Sequence, residues 1–162
     1  MKIDGREIAN QILKELRNRV EKLKLRGTTP HLAIVLVGDS PESKPYVEQK
    51  ELKGNKIGAK ISVHRLTSTI SESELLKTIE QLNNDSNVHG IIVQRPLPSQ
   101  IVNSEINRAI DPKKDVDAFN PDSPYNPPVA EATLRLLEHI YSSKRVDYSN
   151  FNSSISDSLS GI

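Results

Sequence analysis

Tyr46 and Lys50 lie four residues apart, a spacing that puts both side chains on one face of a helix. A lysine in a closed pocket can take and return a proton, and a tyrosine can stack on a flat ligand or donate a hydrogen bond. Spacing alone favours a plainer reading, a solvated lysine beside a partly buried tyrosine. Gln94 follows the apolar run Ile91-Ile92-Val93, where a polar side chain either meets a partner or ligand or simply ends a strand. Pro96 and Pro98 stiffen the loop after it. Asp115 and Asp117 can hold a basic ligand group or cap their own loop. His31, His64, His89 and His139 show no metal-ligand spacing and read as structural; no metal is expected. Lys53, Lys56 and Lys60 read as a solvated face, with a polyanionic ligand tail as the alternative use.

Absences narrow the chemistry further. The seven glycines are Gly5, Gly27, Gly38, Gly54, Gly58, Gly90 and Gly161, and they form neither G-x-G-x-x-G nor G-x-x-x-x-G-K-[ST]. A phosphate-cradling turn for a dinucleotide is therefore not expected. No serine lies in G-x-S-x-G. Without cysteine there are no disulfides, thiolate metal sites or cysteine nucleophiles. A net charge of +1, with four Tyr, two Phe and no Trp, argues against nucleic acid and anionic membranes as partners. No apolar run approaches the ~20 residues of a membrane span, and MKIDGREIAN has neither a signal core nor a transit pattern. A cytoplasmic protein is expected.

The elements that must position these residues can be read in order. Asp4 and Glu7 mark the start of a helix carrying Ile8, Ile12, Leu13, Leu16, Val20 and Leu23 on its apolar positions, closed by Gly27. Leu32–Val37 is a continuous apolar run of the kind buried on both faces of a parallel sheet. A helix is predicted over about Ser43–Ile57, a strand over Lys60–Leu66, a helix opening at Ser71-x-x-Glu74, and a strand over Val88–Gln94. A short helix around Asn103–Ile110 and another over Glu131–Tyr141 follow. Such alternation predicts an α/β fold, a three-layer αβα domain with a mostly parallel sheet. Ligands then lie beyond the carboxyl ends of the strands, where the turns after Val37 and Val93 meet. Residues 1–141 read as one domain. Ser142–Ile162, with eight serines, reads as a poorly ordered tail, with a short amphipathic segment near Ile155–Ile162 as the alternative.

Three segments together resemble one family. Ser43-Lys-Pro-Tyr46-Val-Glu-Gln-Lys50 resembles its S-x-x-Y-V-x-x-K motif. Val88-His-Gly-Ile-Ile-Val-Gln-Arg-Pro-Leu-Pro98 resembles V-H-G-I-L-V-Q-L-P-L-P, and Asp111-Pro-Lys-Lys-Asp-Val-Asp117 resembles the start of D-P-x-K-D-V-D-G-F. The family is the bifunctional methylenetetrahydrofolate dehydrogenase/methenyltetrahydrofolate cyclohydrolase. The resemblance covers about Met1–Phe119 and resumes weakly over Pro127–Ile140. It implies a reduced folate in the cleft, with Lys50 as base and proton handler of the cyclohydrolase step and Gln94 orienting it. Tyr46 would pack against the pterin–aminobenzoate portion and Asp117 would hold the pterin's amide-like edge. Val93, Pro96 and Leu97 would line the same pocket. Hydrolysis of the methenyl cation needs a water at a positive carbon and a base beside it. Like-charge repulsion from such a substrate makes a lysine give up its proton more readily.

The sequence departs from the family's pattern at four places. Arg95 stands for a leucine, Ala118 for a glycine, and Val129-Ala130 for Thr-Pro. The family's NADP-binding domain, with its own glycine motif, has no counterpart here, so hydride transfer by this chain alone is not expected. The family usually forms homodimers, largely through that domain. Three readings result: an enzyme limited to cyclohydrolase chemistry, a non-catalytic folate-binding or regulatory module, and a subunit served by a separate dehydrogenase chain.

Overall fold

The computed structural model describes residues 4–144. Helix α1 (Gly5–Lys24) begins at Asp4, whose carboxylate accepts from the Arg6 N–H at 2.9 Å. Strand β1 (His31–Val37), helix α2 (Lys44–Ile57) and strand β2 (Lys60–Leu66) follow. Helix α3 (Glu72–Asn84) opens on a full capping box, Ser71 and Glu74 satisfying each other's backbone N–H groups. Strand β3 (Gly90–Val93), α4 (Asn103–Ala109) and α5 (Pro128–Lys144) complete the order. The serine-rich segment expected to be a poorly ordered tail lies, from residue 145 on, outside the described residues, as does the alternative amphipathic segment near its end.

The three strands are all parallel, in the order β2-β1-β3. His31 to Val37 face Lys60 to Leu66 on one side, and Leu32 to Val35 face Gly90 to Val93 on the other. Two further bonds, His89 N–H to His31 O and Gln94 N–H to Val35 O, each 2.9 Å, carry the β3 ladder one residue beyond each end.

The central strand explains why Leu32–Val37 has no polar break. Ala33, Val35 and Val37 enter one core with Leu75, Ile79 and Leu82 of α3 and Ile106 of α4. Ile34 and Leu36 enter a second core with Ile92 and Val47 of α2. This is the expected αβα sandwich. Edge strand β2 is half-buried through most of its length.

Gly54 lets α2 lie close to the sheet. A Cβ there would sit 2.3 Å from the Ile61 side chain. A mid-helix glycine costs about 1 kcal/mol against alanine, and here the close packing offsets it. Gly58, at φ 84°, then ends the helix in the left-handed conformation that glycine favours. α5 rests against α1 and leaves Leu134, Leu137 and Tyr141 largely exposed.

Candidate functional site

β1 and β3 are neighbours, yet the chain leaving β1 goes to α2 on one face and the chain leaving β3 goes to α4 on the other. The crevice between their carboxyl ends is the topological switch point at which open α/β sheets bind ligands. Lys50 reaches it from α2 and Gln94 from the end of β3. Lys50 Nζ donates to Gln94 Oε1 at 2.7 Å. Gln94 Nε2 donates to the Arg95 carbonyl at 2.9 Å, so the amide presents its oxygen to the lysine. That orientation suits the partner, because an ammonium has donors only.

Ser43 fixes the register of this meeting. It is 1% exposed at the start of α2, but its hydroxyl does not cap the helix. It donates across 52 residues to the Arg95 carbonyl at 3.2 Å. The motif containing Ser43 was evident in the sequence, but this use of the hydroxyl was not, since a serine before a helix reads as a local cap.

Asp117 arrives on a loop clamped from below. Lys114 Nζ donates to the carbonyls of Leu82, Asn83 and Asp85 at 3.0, 2.7 and 2.8 Å, occupying the carboxyl end of α3. The Ile91 N–H donates to Lys114 O at 2.7 Å, which seats the loop beside β3. Asp115 is fully buried and its Oδ2 accepts from the Asn120 N–H at 2.8 Å. Of the two uses considered for Asp115, loop capping is the one the fold makes. Asp117 is half-buried. Burial holds its carboxyl above the usual carboxylate range and the charge of Asp115 adds to this, while Lys50 and Arg95 pull the other way. Lys50, bonded to Gln94, is thus also near enough to Asp117 for its charge to act on that carboxyl. Ala118, next in the chain, sits at φ 56°, the strained left-handed region anticipated for a residue standing in for glycine.

The remaining candidates divide. Tyr46 stands one helical turn before Lys50 and is 66% exposed as a residue, open to a stacking ligand. The side chain of Val93 is sunk in the core under α3, which leaves its backbone as the part available to a ligand. Pro96 and Leu97 line a hollow with Arg95, Asn103, Asn107 and Phe119. The Arg95–Pro96 peptide is cis. Arg95 donates to the side-chain oxygens of Asn103 and Asn107, and its guanidinium lies 5.5 Å from the centre of the Phe119 ring. Asn103, Asn107 and Phe119 carry no sequence signal that would have paired them with Arg95.

The model of the tetrahydrofolate dehydrogenase/cyclohydrolase catalytic domain matches residues 3–117, a span that contains Ser43, Lys50, Gln94 and Asp117. The chain belongs to this family. It is 50% identical over 119 residues to the bifunctional protein FolD of Enterococcus faecalis, covering 74% of this chain and 42% of that protein. Against FolD of Nautilia profundicola the identity is 43% over the same length and coverage. The crystal structure of the FolD methylenetetrahydrofolate dehydrogenase/cyclohydrolase of Campylobacter jejuni superposes with a TM-score of 0.82 at 36% identity, over 85% of this chain and 52% of that one. A Trypanosoma brucei FolD, solved with NADP cofactor and an inhibitor, gives 0.69 at 32% identity over 72% of this chain and 40% of that one. The chain spans less than half the length of the curated relatives it matches.

The family's use of NADP raises the question whether the described residues fit it. They do not. The turn after β1 holds a single glycine, Gly38, where a Cβ would meet the Ser68 side chain. No dinucleotide cradle is formed among the described residues. Nor is any helix among them long and apolar enough to cross a membrane.

Proposed function

We propose that this chain binds a reduced folate in the Lys50–Gln94–Asp117 crevice and carries out the cyclohydrolase half of the family's chemistry, opening 5,10-methenyltetrahydrofolate to 10-formyltetrahydrofolate. The observation that carries this reading is the 2.7 Å bond from Lys50 Nζ to Gln94 Oε1 at the mouth of the switch point. Gln94 engages one N–H of Lys50, so that when the cationic substrate drives a proton off the ammonium the lone pair set free is directed elsewhere, available to a water. That water forms the new C–O bond at the methenyl carbon and gives its proton to Lys50 Nζ. The same proton then goes to the ring nitrogen as its C–N bond breaks, while the remaining hydroxyl proton leaves to solvent as the formyl C=O forms, so Lys50 ends as it began and one proton is released, matching the positive charge the substrate loses. Asp117, as carboxylate, accepts from the N–H groups on the pterin edge, and Tyr46 supplies an exposed ring for the aromatic body of the ligand.

The second reading is a folate-binding module without turnover. It is favoured by one observation: Arg95 places a further fixed cation near Asp117, where a cationic substrate must enter. Among the described residues none forms a dinucleotide cradle, so both readings are confined to the folate and its water chemistry. A role in cytoplasmic one-carbon metabolism that supplies purine synthesis fits the first reading. Homodimerisation is carried over from the family as an expectation.

Calorimetry with a tetrahydrofolate analogue, on the parent and on Asp117→Ala, tests the site without any cofactor. Heat from the parent that is lost in the variant supports folate binding. Hydrolysis of methenyltetrahydrofolate, followed spectroscopically, separates the enzyme from the module. Turnover of NADP by the purified chain would overturn the exclusion of the dehydrogenase step.

A further inference from the structure

Arg95 is a half-buried cation whose contacts are unusual in kind. Two of the five N–H donors of its guanidinium go to neutral amide oxygens, those of Asn103 and Asn107, and the face of the group lies over Phe119. Among the described residues no carboxylate lies within ion-pair distance of it. Three guanidinium N–H groups are left over. Because both asparagines spend their oxygens on Arg95, each is left presenting its NH₂ group, which has no protein partner. The hollow of about 380 Å³ beside them is otherwise walled by Pro96, Leu97 and Phe119. Apart from the second lone pair of each asparagine oxygen, its side-chain polar lining offers donors, carrying one positive charge, set among apolar surfaces.

We propose that this hollow is a binding subsite for a small organic acid, a carboxylate carried on a flat apolar body. A carboxylate is the ligand that satisfies several convergent N–H donors at once, and guanidinium is the side chain that meets it with two parallel bonds. The apolar walls select the body behind it. Asn103 and Asn107 act as positioning residues that hold the fork in one orientation. Pro96 and Leu97 are shared with the folate pocket that the family resemblance implies, but the inference does not rest on the chemistry of Lys50, since Arg95, Asn103 and Asn107, which supply the donors, take no part in its proton transfer.

The probe is benzoate, with benzamide as its uncharged counterpart, titrated into the ¹⁵N-labelled chain while the side-chain amide signals of Asn103 and Asn107 are followed. Benzoate should move these signals saturably and bind at least about tenfold tighter than benzamide, as expected when a charged hydrogen-bonded pair is gained. Arg95→Leu should lose that preference, and Arg95→Lys should retain only part of it. Asn107→Asp supplies an internal carboxylate for the guanidinium and should abolish benzoate binding in a chain that melts normally, so a folding defect in Arg95→Leu leaves the test intact. The proposal is overturned by equal binding of benzamide, by full benzoate affinity in Arg95→Leu or Asn107→Asp, or by an absence of saturable shifts. It is also overturned if Lys50→Met removes benzoate binding, because the anion then sits in the crevice instead.

Discussion

Lys50 and Gln94, separated by 44 residues in sequence, are joined by a 2.7 Å hydrogen bond from the ammonium to the amide oxygen. The bond ties α2 to the end of β3 across the switch point. If it positions a proton-transfer group, Lys50→Met should lower methenyltetrahydrofolate hydrolysis by about 10²–10⁴-fold while leaving binding of a folate analogue within a few-fold. Gln94→Ala should fall between the two. Equal hydrolysis by Lys50→Met and the parent would remove Lys50 from the mechanism.

Asp117 sets function against stability. Burial raises the pKa of its carboxyl, so the folded state holds the proton more firmly than the unfolded chain does. The stabilising contribution of this group is complete below its ordinary value of 3.8 and is lost as pH rises through the raised folded value. At neutral pH the carboxylate is thus a burden that an amide lacks. Asp117→Asn should melt higher than the parent at pH 7.5 and bind a tetrahydrofolate analogue at least about tenfold more weakly. A variant that both melts lower and binds normally would contradict both halves.

Ala118 offers a separate gain. At φ 56° an alanine carries strain of about 1 kcal/mol that glycine does not. Ala118→Gly should raise the melting temperature by about 2–4 °C, and Ala118→Val should lower it, in the same calorimetric scan.

His31 makes the fold sensitive to mild acid. Its Nε2 lies 2.8 Å from Ser62 Oγ and its Nδ1 3.2 Å from the Asn87 carbonyl, deep at the start of β1. Burial, and then Lys60, hold its pKa below the ordinary 6.5. The unfolded chain therefore takes up the proton first. The stability that His31 contributes is full above about pH 6.5 and declines as pH falls below it. Urea midpoints should drop from pH 8 to pH 5.5 in the parent, and more shallowly in His31→Gln. An identical slope in the two would place the titration elsewhere.

Much of the architecture was legible because local rules and tertiary packing agree. Leu32–Val37 lacks polar breaks because both of its faces are buried, and Ser71 with Glu74 announces a helix by satisfying its orphan N–H groups. The Lys50–Gln94 pairing was legible only through resemblance, since a separation of 44 positions hides it from any spacing rule. What stayed hidden involves side chains used against their local type. Ser43 sits where a cap belongs but bonds to a distant carbonyl. Lys114 belongs to a motif that suggests chemistry but serves as a clamp on α3. Val93 resembles a site residue, yet alternation along β3 turns it into the core.

The order of the strands has a consequence for the life of the nascent chain. β3 is the last of the three described strands to be synthesised, yet it docks against the first, so a ribosome that has released only as far as β2 has already made Lys50 without its Gln94 partner. The proposed crevice is complete only once β3 has docked against β1 and the loop bearing Asp117 has seated beside β3. A folate analogue added during synthesis would act as a reporter of that docking, stabilising chains that have completed it and ignoring those that have not.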